Sequence, residues 1–158
     1  MNTSMVLCLA FAIGVIAGLR ALTAPAVVCW AAHLGWINLH GSHLAVLGSV
    51  VTAVIITILA IAELINDKLP ATPSRTTPVS LGVRSVTGAI CGAALTVAGL
   101  QAVLLGAIIG IVGALVGTFG GYQVRHQIVT QLKVKDIVVA LTEDLIAIGG
   151  ALLIVTRF

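Results

Sequence analysis

Residues 102–122 read AVLLGAIIGIVGALVGTFGGY and contain no charged side chain. A transmembrane helix needs about 20 predominantly apolar residues, and this stretch supplies them. Glycines recur along it at spacings of four, three, four and four residues, which places them on one helix face: Gly106, Gly110, Gly113, Gly117 and Gly121. Another helix backbone can approach such a glycine zipper closely. The expected partner is the preceding span of the same chain, or the same helix of a second copy in a homo-oligomer.

The whole chain shares this apolar character. Of its 158 residues, 59% are hydrophobic and 8% are charged, whereas soluble domains carry about 25% charged residues. This composition excludes a disordered chain, a disulfide scaffold and a soluble enzyme. No basic cluster accompanies the net charge of +3, so nucleic-acid binding is not expected. We predict an all-α, polytopic transmembrane helical bundle that forms one integral membrane domain over residues 1–158.

The apolar stretches predict about five spans. Besides residues 102–122, three more are long enough: 44–64, 79–98 and 137–155. The first apolar region, residues 5–36, is too long for one straight helix, and Pro25 would break its hydrogen-bond ladder. We expect a first span that ends near residue 22. A short helix over residues 26–35 should follow it, either interfacial or re-entrant, without crossing the membrane.

The basic residues predict the orientation. Lys and Arg concentrate in the connections 66–78 and 123–136, which the positive-inside rule places in the cytoplasm. With five spans, the N-terminus is then also expected in the cytoplasm and Arg157 outside.

A weak internal repeat is visible. Residues 18–23 and 82–87 share the pattern G-x-R-x-x-T, and the segments that end at Glu63 and Glu143 align loosely. The repeat halves would be residues 5–65 and 79–156, each with an Arg-bearing helix followed by a Glu-bearing one. Such repeats are common in transporters, although two membrane segments rich in Gly and Ala can also match by chance.

Four motifs resemble a known family. They are AGLRALTAPA at 17–26, DKLPATPSRT at 67–76, GTFGGY at 117–122 and EDLIAIGG at 143–150. In this order they are similar to the bacterial membrane proteins of the domain of unknown function 4126. The resemblance implies a multi-pass protein of the bacterial inner membrane and no particular activity. The spacing Arg75-x-x-Pro78, followed by Arg84, is also faintly similar to the Arg/Pro re-entrant motif of the DedA family.

Ionisable side chains inside spans are costly and are therefore candidates for substrate or ion binding. The candidates are Arg20, Glu63, Arg84, Glu143 and Asp144, with Arg75 from the proline-rich connection. All but Arg20 and Arg75 are expected at one depth, within roughly 10 Å of the cytoplasmic face. They either line a polar cavity that binds an anion or relays protons, or they form structural ion pairs. The connection with Arg75 suits a phosphate or lipid headgroup at the following helix start, or it is a rigid turn.

These observations favour a small membrane transporter, or a protein that translocates lipids or anions. The alternative is a non-transporting membrane scaffold that assembles through the glycine-rich helix face. No catalytic triad, nucleotide loop or metal-ligand spacing is present in the sequence, so neither an enzyme nor a cofactor is expected. The expected partners are membrane lipids, an anionic or phosphate-bearing ligand, or a second copy of the chain.

Overall fold

The computed structural model describes residues 1–67, 77–131 and 136–158. Within these ranges the structure is helical and contains no strand. The elements are α1 (Thr3–Leu19), α2 (Thr23–His33), a 3₁₀ helix (His43–Gly48), α3 (Val50–Asn66), α4 (Pro78–Ala98), α5 (Val103–Gln131) and α6 (Asp136–Val155). The prediction of an all-α helical bundle is confirmed.

Three helices, α4, α5 and α6, are long and apolar enough to cross a membrane. The apolar helices α1 and α3 have 17 residues each. The outer surface of the bundle is also apolar: Ile58, Leu104 and Leu145 are 61%, 72% and 73% exposed. Such a surface is stable where lipid rather than water surrounds it, because large exposed apolar patches are rare on soluble proteins.

The predicted glycine face of α5 lies in the centre of the bundle. Gly106 and Gly110 lie against the backbone of α4, while Gly113 and Gly117 lie against the backbone of α1. A Cβ atom at Gly110 would overlap the carbonyl oxygen of Gly88. The glycines therefore bring two neighbouring helices of the same chain close to α5, where the sequence predicted one.

The glycine contacts also fix the helix directions. Gly14 lies against Gly110 and Gly18 against Gly117, so α1 runs parallel to α5. In α4 the order is reversed, because Gly92 lies against Gly106, nearer the start of α5. Helices α1 and α5 therefore run towards one end of the bundle, and α4 runs away from it.

The chain crosses the bundle again between α1 and α3, contrary to the expectation for residues 26–35. Arg20, directly after α1, forms an ion pair with Asp67, directly after α3, so both helices end in the same layer. The intervening α2, loop and 3₁₀ helix must return the chain. Buried residues such as Val28 and Cys29 place α2 inside the bundle and not at the interface. Helix α2 is too short to cross a membrane alone, but neighbouring helices cover it. Pro25 lies in its first turn, where proline is tolerated.

This extra crossing changes where the N-terminus lies relative to the ends of α3 and α5. The start of α1 lies beside the α4–α5 turn, with Val6 against Gly99, at the end of the bundle opposite to the last residues of α3 and α5. The five-span prediction placed these ends on one side, whereas the structure separates them; the predicted cytoplasmic N-terminus stays a prediction. The structure also extends α5 to Gln131, past the predicted end at residue 122, so Arg125 belongs to the helix and not to the connection.

Candidate functional site

One layer of the bundle gathers most of its charge. The chain has five Asp and Glu residues, and all of them lie near three arginines at the end where α1 and α3 finish. We call the eight residues the ion-pair layer: Arg20, Glu63, Asp67, Arg84, Arg125, Asp136, Glu143 and Asp144. At about 1.5 Å per helical residue, Arg84 lies about 9 Å from the start of α4 and Asp144 about 12 Å from the start of α6. These are distances along the helices, and the predicted depth below the cytoplasmic face stays a prediction.

Arg20 occupies the centre of the layer. Its side chain is fully buried and its guanidinium contacts the carboxylates of Asp67 and Asp144, the latter with Nη2 2.5 Å from Oδ1. A buried charge is tolerated when it is paired and hydrogen-bonded. Here the carboxylate of Asp67, at the end of α3, and that of Asp144, in α6, both contact the guanidinium of Arg20, which follows α1. The residue thus ties three helices together.

Glu63 binds the start of α2. Its Oε1 accepts the backbone N–H of Ala21 and its Oε2 accepts that of Leu22, both at 2.8 Å. N–H groups at a helix start have no partner within the helix. One carboxylate from α3 therefore satisfies the N–H of the N-cap residue Leu22 and that of Ala21, which precedes it in the break between α1 and α2.

Arg84 binds the end of α1 in a corresponding way. Its Nη1 donates to the carbonyl oxygen of Leu19 at 2.9 Å and to that of Gly18, and its Nε donates to Ser80 Oγ at 3.2 Å. Its Nη2 lies 3.9 Å from Glu63 Oε1. The side chain is 4% exposed. The carbonyl groups at the end of α1 therefore bind the positively charged Arg84, and the N–H groups before α2 bind the negatively charged Glu63.

Arg125 organises the second part of the layer. Its Nε and Nη2 donate to the two carboxylate oxygens of Asp136 at 2.8 and 2.7 Å, and its Nη1 lies 3.7 Å from Glu143 Oε2. The Asp136 side chain is 59% exposed, so this pair is closer to solvent than those of Arg20 and Arg84. It joins the end of α5 to the start of α6.

Two clefts open beside the layer. The α3–α4 cleft has a volume of about 730 Å³. Its lining combines apolar and polar side chains from both helices: Leu59, Ala62, Ile65, Val79 and Val83 with Glu63, Asp67, Thr77, Ser80 and Arg84. The α5–α6 cleft has a volume of about 370 Å³ and is mostly apolar, with Arg125 and Glu143 in its lining. The polar layer is thus reachable from the side of the bundle.

The structure brings together five of the six predicted binding residues. Arg20, which the sequence placed apart, lies in the same layer as the other four. Glu143 and Asp144 point to different arginines, Arg125 and Arg20, as their angular separation on a helix suggests. Arg75 lies outside the described residues, and its predicted role stays a prediction. Gly121, the last of the predicted packing glycines, contributes to the lining of the α5–α6 cleft.

Sequence reasoning missed three members of the layer. Asp67 follows Glu63 by four residues, a spacing that puts both on one helix face, so a signal for it was present. Arg125 and Asp136 lie beyond the apolar runs, in the segment 123–136 that the sequence predicts as a connection. Only the length of α5 and the start of α6 show that they face each other.

The fold and the ion-pair layer define an all-α helical bundle of membrane-spanning character with a charged layer near one end. Residues 7–157 match the model of a family described as "Domain of unknown function (DUF4126)". The chain belongs to this family, as its four motifs indicated. No curated protein and no solved structure matches the chain. The similarity to the DedA motif is not supported by the family match, and it depends on Arg75.

Proposed function

We propose that the protein is a small membrane transporter that moves a lipid or an anion by way of the ion-pair layer. The observation that carries this proposal is the broken helix α1–α2, whose two ends face Arg84 and Glu63, and both of these residues line the α3–α4 cleft. Discontinuous helices whose ends point at a polar site are typical of secondary transporters. Non-helical backbone at membrane depth is tolerated where protein or a water-filled cavity surrounds it.

The directions of the helices support the proposal. Helix α1 runs towards the layer and ends before Arg20, whereas α4 runs away from it after Arg84. In the same way, α3 runs towards the layer and ends near Glu63, whereas α6 runs away from it after Glu143. The Arg- and Glu-bearing segments of the two halves therefore run in opposite directions. We infer an inverted repeat, in which the site lies where the halves meet.

The ion pairs between the halves support this inference. Arg20 of the first half pairs with Asp144 of the second, and Arg84 of the second half lies 3.9 Å from Glu63 of the first. An intruding anion would compete with Glu63 for the N–H groups of Ala21 and Leu22, since helix starts favour anions.

A vesicle experiment tests the proposal. The full chain is reconstituted in liposomes, and phosphate uptake, proton uptake and transfer of a fluorescent phospholipid between leaflets are measured. We compare the native chain with Arg84→Lys and Glu143→Gln, each checked for folding by size-exclusion chromatography, and with Arg157→Lys as the matched control outside the layer. Flux above that of empty vesicles that falls in the layer variants and not in the control supports transport. No flux of any of the three kinds rejects it.

A second candidate is the membrane scaffold. The observation that favours it is the internal pairing of the layer: Arg20 and Arg125 each contact two carboxylates, as expected for groups that hold helices together. The buried glycines of α5 are covered by α1 and α4, so assembly would need another face. If the reconstituted protein gives no flux but forms a defined oligomer in native membranes, the scaffold is the better proposal.

A further inference from the structure

We infer that the α3–α4 cleft binds a phospholipid whose headgroup carries both an ammonium and a phosphate group. The inference deepens the proposed function and rests on it for the role of this lipid as a substrate. It concerns binding, however, and binding can be tested separately from transport. Three properties of the cleft carry it: its opening to the lipid, its volume, and the distribution of charge between its two walls.

The walls of the cleft are continuous with the lipid-facing surface. Leu59 and Ile65 of α3 are 46% and 60% exposed, and Val79 and Val83 of α4 are 79% and 45% exposed. A ligand that contacts these side chains from within a membrane must be apolar over that length. The volume of about 730 Å³ falls within the range of about 300–1,000 Å³ that ligand pockets occupy. It can therefore hold a headgroup and the first part of its acyl chains.

The two walls of the cleft carry charges of opposite sign. The α3 side carries the carboxylates of Glu63 and Asp67, while the α4 side carries the guanidinium of Arg84 and the hydroxyl of Ser80. An ammonium group is complementary to the first wall. A phosphate is complementary to the second, where Thr77 precedes the first turn of α4 and its side chain makes no capping hydrogen bond.

This segregation selects among lipids. The described lining has the carboxylates of Glu63 and Asp67 and the guanidinium of Arg84, and the guanidinium of Arg20 pairs with Asp67. These two positive and two negative charges balance, so a headgroup with phosphate alone would add a negative charge without a partner. A headgroup with one ammonium and one phosphate places each charge next to its opposite. The expected ligand is therefore a zwitterionic amine phospholipid such as phosphatidylethanolamine, in preference to an anionic one such as phosphatidylglycerol.

Photolabelling in nanodiscs tests the inference. The full chain is placed in phosphatidylcholine nanodiscs with a trace of phosphatidylethanolamine or phosphatidylglycerol that carries the same photoreactive acyl chain, and the labelled residues are mapped by mass spectrometry. We expect phosphatidylethanolamine to label α3 and α4 about tenfold more than phosphatidylglycerol, the ratio that a difference of about 1.4 kcal/mol produces. Equal labelling, or stronger labelling by phosphatidylglycerol, overturns the inference.

A matched pair of variants locates the site. Val83→Trp fills the cleft, whereas Val112→Trp places the same side chain on α5, and the native valines are similarly exposed at 45% and 48%. We expect Val83→Trp to remove the phosphatidylethanolamine label and Val112→Trp to leave it unchanged; equal labelling of both variants overturns the inference. The two proposals can fail separately. If Val83→Trp loses the phosphatidylethanolamine label but the vesicles show no transport, the transport proposal fails and the binding site stands. If flux persists and Val83→Trp changes nothing, the binding site alone fails.

Discussion

Glu63 and Arg84 lie 3.9 Å apart across the break between α1 and α2, and each binds the end of the helix that its own charge favours. The carboxylate accepts the N–H groups of Ala21 and Leu22, and the guanidinium donates to the carbonyl groups of Gly18 and Leu19. A helix carries partial positive charge at its start and partial negative charge at its end. The pair therefore stabilises a broken backbone at a depth where unpaired N–H and carbonyl groups would be costly.

Replacement of Glu63 or Arg84 should destabilise the fold. In Glu63→Gln one acceptor oxygen becomes a donor, and Arg84→Lys removes the planar fork of donors. We expect each variant to lower the free energy of unfolding by about 1–3 kcal/mol, since each leaves buried backbone groups without a partner. Thermal unfolding in detergent measures the loss, and the double variant should cost less than the sum of the single ones.

The control for this pair is Thr142→Ala. Thr142 is exposed and its hydroxyl donates within its own helix, to Val138, so its loss should stay within about 0.5 kcal/mol. Strict additivity of the Glu63 and Arg84 effects would contradict the coupling that the structure indicates.

Removal of Arg20 should cost more than removal of either residue of that pair. Arg20→Met leaves the carboxylates of Asp67 and Asp144 without the buried guanidinium between them. Breaking a buried ion pair from one side costs about 3–5 kcal/mol. We expect a sharp loss of folded protein, measured as the monodisperse fraction after extraction.

Two further variants separate charge from shape at Arg20. The addition of Asp67→Asn and Asp144→Asn to Arg20→Met removes the uncompensated charges, so it should recover part of the folded fraction. Arg157→Met, at the exposed end of the chain, should have no effect. Failure of the triple variant to recover any folded protein would indicate that the packing of the arginine, and not its charge, is what matters.

Substitution of glycine by alanine should have very different effects on stability at different positions of α5. Gly110→Ala places a methyl group against the carbonyl oxygen of Gly88, whereas Gly120 has no atom within 4 Å of the position of a Cβ. Because backbone cannot move aside cheaply in a packed core, we expect overpacking to cost about 1–3 kcal/mol in Gly110→Ala. Gly120→Ala should be neutral or slightly stabilising, since alanine favours helices. If Gly110→Ala and Gly120→Ala have the same unfolding midpoint, the close packing of α5 with α4 is contradicted.

The orientation of the chain can be tested by labelling. Single cysteines at positions 2 and 158 and at position 131 are introduced after the native cysteines are replaced. Because α1 starts, and α6 ends, away from the ion-pair layer, positions 2 and 158 should react with an impermeant reagent from the same side, and position 131 from the other. The positive-inside rule predicts position 131 in the cytoplasm. Opposite sides for positions 2 and 158 would show that residues 20–49 do not return the chain across the membrane.

Local pattern predicted much of the fold. Hydropathy and length predicted α4 and α6 to within a residue, and Pro25 predicted the break that follows α1. The glycine spacing predicted the packed face of α5, because helical periodicity places such residues together whatever their partner is. The sequence placed the start of α1 at the same end of the bundle as the ends of α3 and α5, and the structure places it at the opposite end. The segment after Pro25 is too short and too interrupted to be recognised as a crossing from composition.

The sequence by itself determined the class of protein, the extent of α4 and α6, its family and the ionisable residues that a membrane makes costly. It did so because apolar length, helical periodicity and the cost of buried charge are local properties of the chain. Tertiary structure alone decided that Arg20 joins Asp67 and Asp144, that Arg84 and Glu63 bind the ends of a broken helix, and that α5 meets two helices through its glycines. These pairings depend on helix direction and depth, which follow from how distant segments pack and not from any one of them.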